Sequence, residues 1–225
     1  MSEAKRQGWE ATRQEVLAAV HAMDREGLTE GTAGNVSGRT PDGCVVLTPA
    51  AMSYPNMRAE DLVVTDLEGK VLDGARLPTS EQDLHLACLR KYPEIGAVVH
   101  THAVHASMFA VAGHAIPCVL EEFEYYVGGD VAVAPYQRTG TKALGESAAA
   151  HVGDRAAVLL ANHGLVVVGA SPSEALQLTR LVERAAMIIA GATRLGTPPT
   201  LPDAIRSEFK ASYLERRTAA AARWD

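Results

Sequence analysis

The sequence predicts an α/β layered domain whose sheet is not purely parallel, and three observations carry that reading. Helical and strand periodicities alternate along the chain, the pattern of a sheet covered by helices. The strands are short, and several are linked by turn residues in the manner of hairpins. No GxGxxG follows the first strand: GTAGNVSG (31–38) has the wrong spacing for a doubly wound dinucleotide fold, and it lacks the Gly-Lys-Ser/Thr of a phosphate loop.

The elements follow in order. Residues 9–27 place Trp9, Val16, Leu17, Val20 and Met23 at helical spacing, and Gly27 closes the pattern. GTAGNVSGR (31–39) is a loop by composition, and CVVLTP (44–49) and DLVVTD (61–66) are strands bounded by turn residues. Residues 67–80 hold two glycine turns and a proline, hence hairpin and loop. From Thr79 the period becomes helical, with Leu84, Ala87, Cys88 and Tyr92 on one face and Pro93 as the stop.

GAVVHTH (96–102) is a strand and residues 103–113 a short helix with a small-residue face. Residues 116–136 give strand, variable middle, glycine turn and strand; residues 141–152 are helical. RAAVLLANHGLVVVGA (155–170) is two apolar strands interrupted by Asn-His-Gly. Pro172 opens a long helix to about Leu195, and after GTPPTLP an amphipathic helix is expected over 202–222. One domain over 1–225, with its core at about 10–195, accommodates all of this.

Composition narrows the function classes. The net charge is −6 and no Lys/Arg cluster exceeds the pair Arg216-Arg217, so no nucleic-acid partner is expected. Cys44, Cys88 and Cys118 are scattered without a CxxC, which suits a reducing compartment and thiols used as small apolar fillers. The N-terminus lacks the apolar segment of a signal peptide, and no apolar run reaches membrane length. A soluble cytoplasmic protein without a membrane partner is the expectation.

The chemistry-bearing residues begin at VVHTHAVH (98–105). Side chains two apart in a strand point the same way, so His100 and His102 share a face at the end of an apolar run. Such a pair is either half of a zinc site or two hydrogen-bonded histidines. His163, in the turn between two apolar strands, is the candidate third ligand, while His105 should leave that face. Gly31, Gly34 and Gly38 with Asn35 compose either an anion-binding nest or an ordinary glycine turn. Thr79 and Ser80 either cap the next helix, with Thr79 and Gln82 fitting a capping box, or flank a phosphate at its N-terminus. Glu81 either complements the helix dipole or points past the helix end toward a metal.

Taken in order, GTAGNVSGR (31–39), LTP (47–49), PTSEQDLH (78–85), AVVHTHAVH (97–105) and ANHGLVVVG (161–169) resemble the class II aldolase/adducin family. Its fuculose-1-phosphate aldolase branch is nearest, and the likeness runs from about residue 10 to 195. The resemblance implies a single three-layer domain with a central, largely antiparallel sheet flanked by helices. It implies one Zn2+ per chain, with Mn2+ or Co2+ as alternatives, on His100, His102 and His163, with His105 outside the ligand set. It makes Glu81 the acid/base group, and Gly34, Asn35, Thr79 and Ser80 the grip on a substrate phosphate. It also implies a homotetramer with active sites at subunit interfaces.

The implied reaction cleaves a small, fuculose-like ketose 1-phosphate between C3 and C4 to dihydroxyacetone phosphate and an aldehyde. Cleavage leaves negative charge on an enediolate, which a dication stabilises as a Lewis acid. A carboxylate moves the protons, and a remote phosphate clamp positions the bond that breaks.

The chain departs from the family pattern at three places. Ala50-Ala51 stands where the family has Thr-Gly against the phosphate. Glu121, in EEFEYY (121–126), occupies the place of a catalytic tyrosine, either as a proton shuttle or as part of a solvated rim. Tyr213 is the candidate, one residue out of register, for a C-terminal tyrosine lent by a neighbouring subunit. The same resemblance covers methylthioribulose-phosphate dehydratases, ribulose-phosphate 4-epimerases, oxo-acid decarboxylases and the non-catalytic adducin head. Joint retention of His100, His102, His163 and Glu81 argues against a binding-only domain.

Overall fold

The computed structural model describes residues 3–220. In chain order the elements are α1 (Glu3–Arg25), β1 (Asn35–Arg39), β2 (Val45–Leu47), β3 (Val63–Thr65), β4 (Val71–Asp73), α2 (Gln82–Lys91), β5 (Ala97–Thr101) and α3 (Val104–Ala112). There follow α4 (Glu121–Val127), β6 (Val133–Ala134), α5 (Lys142–Val152), β7 (Ala157–Leu160), β8 (Gly164–Gly169), α6 (Pro172–Ala192) and α7 (Asp203–Ala219). The strands form one sheet in the order β4-β3-β2-β1-β5-β8-β7-β6. Every neighbouring pair is antiparallel except β6 with β7, so the sheet is largely antiparallel, as the family resemblance implies.

Strand alternation splits the core into two layers. Ala97 and Val99 of β5, with Leu165 and Val167 of β8, face a large cluster built with α1, α3, α4 and α6. Val98, Val166 and Val168 face the opposite cluster, covered by α2 and α5. Val99 and Val167 are fully buried, and each contributes on the order of 1.5–3 kcal/mol by leaving water. The three cysteines are buried free thiols. Among the described residues no helix is long and apolar enough to cross a membrane.

Two segments differ from the sequence expectation. NVSGR, expected as loop, is β1, at the middle of the sheet between β2 and β5. Its composition hides it, because Asn35 and Ser37 face a polar contact and Gly38 has no side chain to show a period. Gly38 is required by packing: a Cβ there would sit 3.0 Å from Thr12 Cγ2 and Val16 Cγ2 and 3.1 Å from Pro172 Cγ, so α1 and α6 rest directly on its backbone. The variable middle of 116–136 is helix α4, and the strand expected before it is reduced to a single bridge, Ile116 to Val131.

Boundaries shift elsewhere. The first helix starts at Glu3, six residues before Trp9, and the long helix ends at Ala192. The final helix is seen over Asp203–Ala219; positions 221 and 222 lie outside the described residues. It is tied to α4 and the nearby loops by cations: Arg206 to Glu124 at 3.1 Å, Lys210 to Asp154 at 2.9 Å, and Arg217 to Glu94 at 2.9 Å.

Candidate active site and metal centre

The histidines meet because β8 pairs with β5. The antiparallel register sets His100 opposite Val166 and Thr101 opposite Leu165, so the β7–β8 turn lies beside the end of β5. That turn is Ala161-Asn162-His163, with Asn162 at φ +56°, a left-handed conformation that asparagine tolerates better than most residues. Gly164 leaves the space: a Cβ there would lie 2.5 Å from Thr101 O, 3.0 Å from His102 Cδ2 and 3.3 Å from His100 Cε1. Ring centroids of His100, His102 and His163 are 4.7–5.1 Å apart, and the planes meet at 67–77°.

These three residues could hold a metal. One nitrogen from each lies within 4.8 Å of the others. His100 Nδ1 lies 3.0 Å from Leu165 O and donates to it, which turns the Nε2 lone pair inward. The Nε2 atoms of His100 and His102 are buried without a hydrogen-bond partner. An orphaned buried acceptor of this kind costs about 1–3 kcal/mol, and a divalent cation would offset it. Burial pushes His100 down to about 4 despite the Glu81 carboxylate, and burial also lowers His102, so both present lone pairs at neutral pH.

Glu81 stands at the same point. Its Oε2 is 3.3 Å from His100 Nε2 and its Oε1 3.5 Å from His163 Nε2. Asn35 Nδ2 donates to Oε2 at 2.9 Å and Thr139 Oγ1 to Oε1 at 2.9 Å. Burial pushes the Glu81 carboxyl up, but His100, the Asn35 amide, His163 and Thr139 outweigh it and bring it to about 2. Because His100 is itself unprotonated at neutral pH, the two hydrogen bonds are the part of this pull that persists there. Glu81 is therefore an ionised, directionally held carboxylate.

The other end of the site is a cavity of about 410 Å³ lined by Gly34, Asn35, Ala50, Ala51, Thr79, Ser80, Glu81, His102, Tyr136, Thr139 and His163, among others. Among the described residues no lysine or arginine lines it. The Thr79-Ser80 turn is pinned beside Ala50-Ala51 by Thr79 N donating to Thr48 O at 2.9 Å and by the Pro49–Pro78 bridge. The capping box does not form: α2 is capped at Glu81 without a side-chain bond, Thr79 Oγ1 accepts from Glu81 N at 3.3 Å, and Gln82 Oε1 has no partner. Gly34 carries φ +75°, and a Cβ there would meet His100 O at 2.7 Å. Gly38 lies within β1, so the loop's glycines do not all converge on one nest.

Three candidate positions are placed elsewhere. His105 leaves the cluster as expected, and its backbone N and ring Nδ1 meet Glu183 at 2.9 and 2.7 Å. Glu121 is the exposed first residue of α4 and does not line the cavity. Tyr213 is only 6% exposed and is packed in its own chain against Gly128, lining a separate cavity with Glu94 and Arg217. In this chain it is buried and does not line the cavity beside the histidines. Conversely, the structure brings Thr139 to Glu81 and His85 to Asn35. Neither has a local signal beyond a hydroxyl in QRTGT (137–141) and a lone histidine on a helix.

Comparison with known proteins places this geometry. The family model described as Class II Aldolase and Adducin N-terminal domain matches residues 14–190. The 5-deoxy-D-ribulose 1-phosphate aldolase of Bacillus thuringiensis serovar kurstaki is 38% identical over 192 residues, 85% of this chain and 90% of that protein. The L-fuculose phosphate aldolase of Escherichia coli K12 is 36% identical over 182 residues, 80% of this chain and 84% of that one. A solved L-fuculose 1-phosphate aldolase superposes with a TM-score of 0.86 at 31% identity, covering 90% of this chain and 96% of its own.

Proposed function

The chain belongs to the class II aldolase and adducin family, and from that premise we propose that it is a zinc-dependent aldolase, cleaving a small ketose 1-phosphate to dihydroxyacetone phosphate and an aldehyde. One observation carries the reading: a buried carboxylate, Glu81, lies 3.3 and 3.5 Å from two of three convergent imidazoles at the wall of an open cavity. A metal-only structural site has no use for a free carboxylate fixed by two donors, and a binding domain has no use for either.

In this reading His100, His102 and His163 hold the ion, and Glu81 carries the proton. Zinc, or manganese or cobalt in its place, would supply a Lewis acid that draws off negative charge as the bond breaks. Glu81 takes the proton of the C4 hydroxyl, the C3–C4 bond breaks with its electron pair left toward C3, and the proton is returned to C3. Gly34, Asn35, Thr79 and Ser80 grip the phosphate. With no lysine or arginine lining the cavity among the described residues, N–H and O–H dipoles do that work. The printed substrates of the relatives, a 5-deoxyribulose 1-phosphate and a fuculose phosphate, support a short phosphorylated ketose.

A homotetramer belongs to the same proposal. Val104, Met108 and Val111 are exposed at successive turns of α3, Met187 and Ile188 are exposed on α6, and Tyr136 is 64% exposed while lining the cavity. A second copy over this surface would cover apolar area that a lone chain leaves in water.

The test is a retro-aldol screen over ketose 1-phosphates and their free ketoses, with triose phosphate and aldehyde detected separately. Triose phosphate should appear only from phosphorylated ketoses; an epimer or a dehydrated product would move the chain to another reaction of the family. Purified protein should hold about one divalent ion per chain, lost in the His100→Ala/His102→Ala variant. Glu81→Gln should keep the metal and lose about 10²–10⁴-fold in turnover.

A further inference from the structure

Asn35 reaches Glu81 with only one of its two ends, and the other end is held by a residue outside the cavity. His85 lies on α2, one turn beyond Glu81, and is fully buried. Its Nε2 is 2.5 Å from Asn35 Oδ1 and its Nδ1 is 2.8 Å from Ser37 Oγ. Asn35 and Ser37 are alternate residues of β1, so both point at the same helix.

The polarity of this run is decided by chemistry. An ionised carboxylate only accepts, so the Asn35 atom 2.9 Å from Glu81 Oε2 is the amide nitrogen. That turns Asn35 Oδ1 toward His85 and requires a proton on His85 Nε2. His85 Nδ1 is then an acceptor, filled by the Ser37 hydroxyl. Every donor points the same way, from Ser37 through His85 and Asn35 to Glu81. A fully buried imidazole among Leu84, Leu86 and Leu89 would be replaced at lower cost by an apolar residue, were packing its only task.

We propose that His85 is a positioning residue: as a neutral Nε2–H donor it fixes the Asn35 amide, and Asn35 in turn aims the Glu81 carboxylate. The proposal rests on the reading of Glu81 as proton carrier. Without His85 the Asn35 amide is free to turn over, presenting oxygen to a carboxylate and releasing Oε2. Among the described residues, Thr139 on Oε1 would be the remaining side-chain hydrogen-bond donor.

The experiment uses two variants of the zinc-loaded enzyme and one spectrum of the metal-free wild type. His85→Leu removes the donor; His85→Gln keeps an amide N–H that can reach Asn35 Oδ1. His85→Leu should lower kcat roughly 10–100-fold, as loss of an outer hydrogen-bond partner does, with KM and metal content unchanged. His85→Gln should recover most of that loss. Joining His85→Leu to Asn35→Ala should add little to Asn35→Ala alone. A ¹H–¹⁵N imidazole spectrum should show His85 as the Nε2–H tautomer.

The proposal is overturned by a normal kcat in His85→Leu, by equal losses in both His85 variants, by additive losses in the double variant, or by the Nδ1–H tautomer. If the leucine variant fails to fold, the glutamine variant and the tautomer still decide. A wild type without aldol cleavage would sink the functional reading alone, because the tautomer is read without substrate or metal.

Discussion

Adding one methyl group at Gly164 tests how the metal site is built. A Cβ at this position would sit 2.5 Å from Thr101 O, 0.9 Å inside the 3.4 Å at which ordinary contacts begin, and 3.0 Å from His102 Cδ2. The atom that must yield is a backbone carbonyl in the β5–β8 pairing, and the rings beside it are the proposed ligands. Overpacking of this kind costs about 1–3 kcal/mol, and displaced ligands cost roughly 10–100-fold in metal affinity. Gly169, at the other end of β8, supplies the control. Its added Cβ would meet Ala175 N at 2.8 Å, far along the strand from the histidines. Gly164→Ala and Gly169→Ala should therefore lose similar stability in urea titrations, and only Gly164→Ala should lose zinc affinity in competition with a chromophoric chelator. Wild-type affinity in Gly164→Ala, or an equal loss in Gly169→Ala, would refute this account of the site.

The remaining predictions concern pH, strain and the C-terminal helix. Burial pushes His85 from 6.5 to about 3. The unfolded chain therefore takes up a proton below pH 6.5 that the folded chain refuses until near pH 3, and stability falls as pH falls through that window by about 1.4 kcal/mol per unit. Urea titrations of metal-free protein at pH 7.5 and 5 should show this loss, and His85→Leu should lessen it; an unchanged slope would refute the assignment. Ala51 carries φ +52°, which costs an L-residue about 1–2 kcal/mol. Ala51→Gly should thus be neutral or stabilising by up to about 1 kcal/mol in thermal melts, where an exposed Ala→Gly change ordinarily destabilises. Tyr213 is held in its own chain, where Arg217 bonds it and burial raises it to about 12. Tyr213→Phe should leave kcat unchanged; a large loss would mean that its hydroxyl serves an active site.

Much of the fold was legible because it is written in short-range periods. The 2-residue alternation of GAVVHTH and the two strands flanking Asn-His-Gly appear as β5, β7 and β8, and the helical spacing from Leu84 onward appears as α2. The failures have the same origin. β1 alternates Asn35, Ser37 and Arg39 with Val36 and Gly38, so neither face shows an apolar period, yet neighbours on both sides bury it. The segment 121–127 carries three glutamates and no strand period to oppose helix α4.

The sequence by itself determined that His100 and His102 share a face, that Gly-Asn-containing and Thr-Ser-Glu turns stand ready beside element ends, and that the whole order of motifs is that of one family. These follow from backbone geometry within a few residues and from motif order, which any chain carries openly. Only the tertiary structure decided that His163 converges with the pair, that Asn35 donates to Glu81, that Thr139 reaches Glu81 and His85 reaches Asn35, and that Tyr213 and Glu121 do not line the cavity in this chain. Those outcomes depend on sheet order and on the register that sets Thr101 opposite Leu165 and Asn35 opposite His100. Register is fixed by the burial of two whole faces at once, so no local stretch of the chain records it.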